Sequence, residues 1–357
     1  MAGVAGLHNC RVRQSVTIRD VARLAKVHPG TVSRALNPET RALVNAATAE
    51  RVEAAAAALG YRPNPIARGL KTKRSFTVGV LVPDITNPLF PPILRGIEDR
   101  LSEAGYTALI VNTDNDGERE AHAVEVMRAR HVDGFISATA RLERAPSDGL
   151  ALAGAPIVLV NRGLEDGSLP MVGVDDRRGL GLAVEHVHSL GHRRIAHVGG
   201  PQGTSTGHQR YLGFEDALVA LGLGPNRELV RIAGAFTAPE GEKACRELFD
   251  AKLEFTAIVA ANDLLALGCY DALAAHGLSC PTDVSVVGFN DIPFLDRLRP
   301  PLTSVRVPQR EIGVAAADLL LDCLVDADCR RQVWLEPSLV VRGSTGPPGA
   351  SSARLAP

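Results

Sequence analysis

Asp84, Asn87, Asn161, Arg162, Arg210, Asn262, Asp263 and Asn290 are the residues whose types could do chemistry together. Most stand just after a short apolar run, and Arg210 follows the glycine-rich stretch Gly199–Gly207. Carboxylates, amides and guanidinium groups each make paired hydrogen bonds, which recognition of a sugar or another polyol requires. Any one of them alone is more often a capping or turn residue; their shared placement is what counts. A second set, Thr31, Ser33 and Arg34, lies in a basic segment and offers short polar groups and one forked donor, suited to the edges of bases.

Catalytic alternatives have less behind them. The stretch Gly199–Gly207 lacks both the G-K-[ST] ending of a phosphate loop and the G-x-G-x-x-G spacing. His186 and His188 are two apart on a predicted helix and share no face, while His192 and His197 lie on other elements, so no metal site is expected. No Ser/His/Asp set has motif-like spacing. No cofactor is implied.

The elements that must hold the first set alternate. Apolar, β-branched runs at 76–82, 107–111, 134–138, 157–160, 195–198, 257–260 and 285–288 are separated by helical patterns, among them Ile93, Ile97 and Leu101. That alternation predicts parallel sheets covered on both faces. Two sets of such units suggest two lobes, and ligands bind such folds outside the carboxyl ends of the strands.

The second set sits on three short helical patterns. Thr17 and Asp20 form a capping box ahead of Ile18, Val21, Ala22, Leu24 and Ala25. The second helix starts at His28-Pro29, with Val32, Ala35 and Leu36 facing inward. The third spans about 46–59 between Asn45 as cap and Gly60 as stop. Two helices joined by Lys26-Val27 and supported by a third predict a helix-turn-helix, although helical patterning alone also fits a plain three-helix cap. Pro63-Asn64-Pro65 then interrupts the chain before a helix at 66–71 that is too short to be stable alone. The alternative for 61–75 is a flexible basic linker.

Charge separates the two regions. The 357 residues carry 39 Lys and Arg against 40 Asp and Glu, a net of −1. Residues 1–75 hold 13 against 4, a net of +9, and the remainder 26 against 36, a net of −10. A basic head is the footprint of a nucleic-acid partner. The N-terminus has no continuous apolar stretch and no eighteen-residue apolar run exists, so a cytoplasmic location without membrane contact is expected. The six cysteines form no C-x-x-C pair and are expected to be reduced.

Ile18-Arg19-Asp20-Val21-Ala22-Arg23-Leu24-Ala25, Val27, Thr31-Val32-Ser33-Arg34-Ala35-Leu36-Asn37, then Leu59-Gly60-Tyr61-Arg62-Pro63-Asn64, Ala67-Arg68 and Leu70 resemble the lactose-repressor (LacI/GalR) family of bacterial regulators. The resemblance implies an all-α helix-turn-helix headpiece joined to an α/β two-lobed effector domain like the periplasmic binding proteins. It implies a homodimer on a pseudo-palindromic double-stranded operator, a repressor whose DNA affinity a small-molecule effector controls. Thr17, His28, Pro29, Gly30, Thr31, Ser33, Arg34 and Asn37 would meet DNA. Leu70 would wedge open a base step in the minor groove beside Arg68 and Lys71. Phe90 and Phe236 would line the effector cleft with the polar set above. The Ile93/Ile97/Leu101 helix is a candidate dimer surface, or else a sheet-covering helix.

The expected layout is an extension at 1–16, a headpiece at 17–60, a hinge at 61–75, an effector domain at 76–342 and a disordered tail at 343–357. The first lobe is expected at 76–161 plus 291–324, the second at 162–290 plus 325–342. Three features of the head depart from the family. Lys26 replaces a turn glycine or asparagine. His28, Pro29 and Gly30 replace Ser and larger residues. Two extra residues lie between Asn37 and Val44. Asn290 also stands where many relatives carry Asp. A transport solute-binding protein and an enzyme are the rival readings; the basic head and the lack of a signal-peptide pattern argue against the first, and the second has the least support.

Overall fold

The computed structural model describes residues 16–37, 40–62, 74–142, 155–224, 226–326 and 328–349. The chain divides into two units, 1–75 and 76–357. Among the described residues no helix is long and apolar enough to cross a membrane.

The first unit contains α1 (Ile18–Ala25), α2 (Pro29–Ala35) and α3 (Ala46–Leu59). The predicted caps are present. Asp20 accepts the Thr17 hydroxyl at 2.7 Å and the Thr17 N–H at 2.9 Å, and these bonds hold its carboxyl below the usual range. Asn45 accepts the Ala47 N–H at 3.0 Å, and Gly60 ends α3 in the left-handed region. Val21, Ala25, Val32, Ala35, Ala49 and Val52 form a small buried core. Lys26 sits at φ 53°, so the turn demands the conformation for which glycine or asparagine is suited. The predicted extension (1–16, except Val16) and most of the hinge (63–73) lie outside the described residues.

The second unit holds two six-stranded sheets. In chain order its elements are β1 (Thr77–Val82), α4 (Phe90–Glu103), β2 (Thr107–Asn112), α5 (Gly117–Ala129), β3 (Gly134–Ser137), β4 (Ile157–Val160) and β5 (Met171–Val174). Then come α6 (Asp176–Ser189), β6 (Ile195–Gly199), α7 (Ser205–Ala220), β7 (Val230–Ile232), α8 (Ala238–Asp250), β8 (Ala257–Ala260) and α9 (Asp263–Ala275). Last are β9 (Ser285–Asn290), β10 (Thr303–Arg306), α10 (Gln309–Cys323), β11 (Gln332–Leu335) and β12 (Ser338–Val340). The sheet orders are β11-β5-β4-β3-β1-β2 and β12-β10-β9-β8-β6-β7. Among the described residues only the β10–β12 pair is antiparallel. In each sheet one strand, β1 or β6, lies between its two successors in the chain, so strand order reverses there. Such reversals open a crevice at the carboxyl ends.

The chain passes between the sheets three times, after β5, after β10 and after β11. The expected lobe boundaries are therefore corrected. β5 pairs with β4, which removes it from the second lobe expected at 162–290. β10 pairs with β9, and β11 pairs with β5, each in the sheet opposite to the expected one. These strands are short, and pairing rather than their own pattern decides their membership.

Two further expectations change. Ile93, Ile97 and Leu101 are buried inside this chain, so α4 covers its sheet and these residues make no dimer surface. A Cβ at Gly96 would collide with the backbone of α10, and one at Gly313 with that of α4, so the two helices cross in close backbone contact. The predicted disordered tail begins too early. Ser344 is fully buried: its Oγ donates to Val286 O (2.6 Å) and accepts Thr303 N–H (2.8 Å). Gly346 donates to Ser285 Oγ at 3.1 Å. The segment 343–346 thus satisfies polar groups at the start of β9 and β10. Residues 350–357 lie outside the described part.

Candidate nucleic-acid interface and effector pocket

In the first unit α2 buries Val32 and Ala35 and exposes His28, Ser33 and Arg34, with Pro29, Gly30 and Thr31 half-buried between. His28 caps α2: its Nδ1 accepts the Gly30 N–H at 3.1 Å. Arg34 donates from Nε to Gly30 O at 3.2 Å. Thr17 caps α1, and Asn37 follows α2, its carbonyl accepting from Arg41 N–H at 2.9 Å. The expected base-facing set thus lies on one helix and its flanks. Arg68, Leu70 and Lys71 lie outside the described residues.

In the second unit a cavity of about 330 Å³ opens between the lobes. That volume fits a small molecule. It is lined after β1 by Asp84, Asn87 and Phe90, after β2 by Asn115, after β3 by Arg141 and after β4 by Arg162. The other lobe contributes Pro201, Gly203 and Thr204 after β6, and Gly234–Thr237 after β7, including Phe236. The crevices of both reversal strands therefore face one space. A Cβ at Gly200 would strike the Phe236 ring, which explains glycine in a stretch that otherwise resembles a phosphate loop. Thr204 there caps α7 by accepting Gly207 N–H at 3.1 Å. At the rim, Leu142 N–H donates to Gly203 O (3.0 Å) and Gly163 N–H to Ser205 Oγ (2.9 Å), each joining the two lobes.

Arg162 is the most constrained group in the cavity wall. It is 7% exposed, and its Nη1 donates to Asn115 Oδ1 at 3.0 Å. Its Nε is buried with no partner among the described residues. Burial, then the charges of Arg141 and Arg210, bring its pKa down to about 10. Arg141 donates to the Asn115 carbonyl, so this asparagine orients both arginines. An unpaired buried donor costs stability until an acceptor reaches it. Asp84 spends Oδ1 on the backbone and hydroxyl of Thr86 (2.9 and 2.6 Å), and Asn87 spends Oδ1 on Leu89 N–H (3.0 Å). Both are turn residues that also line the cavity.

The remaining expected residues are elsewhere in the wall of the fold. Arg210, on α7, pairs with Asp176 at 2.7 Å, donates to Ala261 O at 2.8 Å and stacks 3.9 Å over the Phe289 ring. Burial raises the Asp176 carboxyl while the Arg210 charge opposes it. Asn262 caps α9 through Leu265 N–H (2.8 Å). Asp263 accepts Ser304 Oγ (2.6 Å) and Ile292 N–H (2.9 Å), and burial pushes it up to about 7. Asn290 accepts Gln309 Nε2 on its carbonyl (2.8 Å), and its Oδ1 is buried without a partner among the described residues. Asn161 is buried at φ 65°. None of these five lines the cavity. Asn115 and Arg141 are absent from the set expected from sequence, although they obey the same rule of polar residues after strands.

Three of the four histidines considered for a metal site make side-chain contacts within the fold. His197 Nδ1 bonds Val259 O at 2.7 Å, its ring stacks 4.7 Å from Phe214, and burial brings its pKa down to about 4. His192 bridges Thr256 Oγ1 and Gly346 O, each at 2.8 Å. His186 contacts Thr345 Oγ1 at 3.0 Å.

Comparison with known proteins gives the family. Residues 17–64 match the model of bacterial regulatory proteins of the lacI family, and residues 184–345 that of a periplasmic binding protein-like domain. The HTH-type transcriptional repressor CytR of Escherichia coli K12 is 34% identical over 336 residues, 93% of this chain and 96% of its own. The chain belongs to the lacI family of bacterial regulatory proteins. A ribose operon repressor of Halalkalibacterium halodurans is 34% identical over 307 residues, 85% of this chain and 89% of its own. The lac repressor dimer bound to operator and the anti-inducer ONPF superimposes with a TM-score of 0.81 at 28% identity, covering 93% of this chain and all of that one. The regulator CelR in complex with cellobiose gives 0.72 at 33% identity, covering 92% of this chain and 99% of that one. The lacI-family fold, a helix-turn-helix head with a two-sheet sensor, thus extends over nearly the whole chain.

Proposed function

We propose that this protein is a sequence-specific transcriptional repressor whose operator affinity is set by a small polar effector, a sugar or nucleoside, bound between the lobes. The observation that carries this reading is the cavity into which both reversal crevices open, in a chain whose head is a helix-turn-helix. Its wall mixes two arginines, two amides, a carboxylate and the rings of Phe90 and Phe236, which suits hydroxyl groups on an apolar ring face. The lac repressor, as a dimer on operator, and CelR with cellobiose support the same division of labour.

The protein acts as a cytoplasmic homodimer on a pseudo-palindromic site, since two-fold protein symmetry imposes two-fold operator symmetry. It is not an enzyme. Thr17, His28, Pro29, Gly30, Thr31, Ser33, Arg34 and Asn37 form the major-groove surface, and Arg68, Leu70 and Lys71 the hinge contact. Asp84, Asn87, Phe90, Arg162 and Phe236, joined by Asn115 and Arg141, bind the effector. Asn161, Arg210, Asn262, Asp263 and Asn290 support the wall around it. The effector favours one lobe arrangement by differential affinity and so biases how the two hinges meet DNA.

A thermal-shift screen of the full chain against pentoses, disaccharides and nucleosides identifies the effector. Selection of bound duplexes from random DNA identifies the operator. Enrichment of a palindromic sequence whose affinity changes with a stabilising compound is the expected outcome. Enrichment of no sequence at any salt concentration would refute the reading.

A further inference from the structure

Gly30 anchors both polar side chains that flank it on α2. Its N–H donates to His28 Nδ1, and its carbonyl accepts from Arg34 Nε. A Cβ at position 30 would stand 3.2 Å from His28 Nδ1 and 3.8 Å from Arg34 Nη2. Glycine leaves the space in which the two side chains converge. Acceptance at Nδ1 fixes the neutral ring's tautomer, with its proton on Nε2. Arg34 has spent Nε, which leaves its two terminal amino groups for DNA. Pro29 and Gly30, between them, have no side-chain hydrogen-bonding group. Of the exposed polar side chains from His28 to Arg34, those of His28 and Arg34 are oriented by one glycine, and Ser33 lies between them.

We propose that His28 is a base-reading residue whose Nε2–H donates to the N7 of a purine next to the base pair that Arg34 reads. In the major groove cytosine presents an amino group that repels a ring N–H, thymine presents O4 as an acceptor, and N7 is the acceptor common to both purines. This inference rests on the assignment of α2 as the DNA-reading helix.

The test uses the full-length protein and the operator obtained by selection. Single purines are replaced by their 7-deaza analogues, and binding is measured by fluorescence anisotropy. At one position near the Arg34 contact, the replacement weakens wild-type binding roughly fivefold, the worth of one hydrogen bond. In His28→Asn the amide oxygen still accepts Gly30 N–H, as asparagine is a favoured cap, but the Nε2 donor is gone. That variant keeps its thermal stability, binds about fivefold more weakly and no longer responds to the replacement. Gly30→Ala places a better helix former at 30, yet crowds the ring and reduces discrimination at the same position. A purely structural role would not raise or preserve stability while losing discrimination. If His28→Asn responds to every 7-deaza replacement as wild type does, the inference is overturned and the DNA-reading assignment stands. If selection enriches no sequence, that assignment falls first.

Discussion

The head and the sensor differ in how deeply the groups around their sites are buried. In the head, the groups assigned to recognition are exposed or half-buried, and the buried residues are small and apolar: Val21, Ala25, Val32, Ala35. In the sensor, the polar groups that brace the cavity are buried and bonded, Arg210 to Asp176 and Asp263 to Ser304, and Arg162 in its wall is buried with Nη1 on Asn115, while Asn115 and Arg141 are exposed. Substitutions in the head should therefore alter binding with little loss of fold, whereas substitutions around the sensor cleft should alter both. Electrostatics follow the same division, since the +9 head meets phosphates in water while the sensor's internal charges act where solvent is excluded.

The largest effect expected from this contrast is Arg210→Ala. Removing one partner of a buried ion pair leaves Asp176 uncompensated, at a cost of about 3–5 kcal/mol. Chemical denaturation should show that loss in the sensor transition, with the head unaffected. A loss below about 1 kcal/mol would mean that the pair is effectively solvated.

Next comes a pair of opposed pH dependences. Asp263 has a folded pKa of about 7, above its unfolded value, so the native state holds the proton longer and stability falls as pH rises toward 7. His197 has a folded pKa of about 4, below its unfolded value, so the unfolded chain takes the proton and stability falls as pH drops from about 6.5 to 4. Relative to wild type, Asp263→Asn should become progressively more favourable from about pH 4 to 7. His197→Gln should gain relative stability only toward acid. Denaturation midpoints across this range check both signs, and parallel curves for all three proteins would remove the burial argument.

In the head, Arg34→Ala should cost about 1–3 kcal/mol of discrimination against the wrong base, with unfolding unchanged. Competition binding between selected and random duplexes measures it; an equal loss on both would make Arg34 a phosphate contact. The smallest effect is at the turn. Lys26→Gly relieves a left-handed lysine and should stabilise the head by up to about 1 kcal/mol. Thermal unfolding decides the sign, since glycine also loosens the unfolded chain.

The same contrast explains which parts of the fold are legible in the sequence. The head is made of local signals, caps at Thr17 and Asn45, a first-turn proline at Pro29 and a stop at Gly60, and each sits where its spacing places it. The sensor's long apolar strands are equally plain. Its short strands β5, β10, β11 and β12 are not, because Met171–Val174 or Thr303–Arg306 carry too few residues to announce a sheet, and the pairing that decides their lobe is non-local. The tail misleads for a related reason. Gly343–Gly346 looks like loop, and only the open polar ends of β9 and β10 give Ser344 its buried place. Among cleft residues, polar groups after strands are a sound rule, but it does not separate those facing the cavity, such as Arg162, from those bracing it, such as Asp263.

The central claim is that occupation of the Arg162 cavity sets operator affinity. The direct measurement is operator binding by the full-length protein with and without the compound that stabilises it most, for wild type and Arg162→Met. The account predicts that the compound shifts the operator Kd of wild type and leaves that of Arg162→Met unmoved, while the two proteins bind operator equally in its absence. An equal shift in both proteins would place effector control outside this cavity.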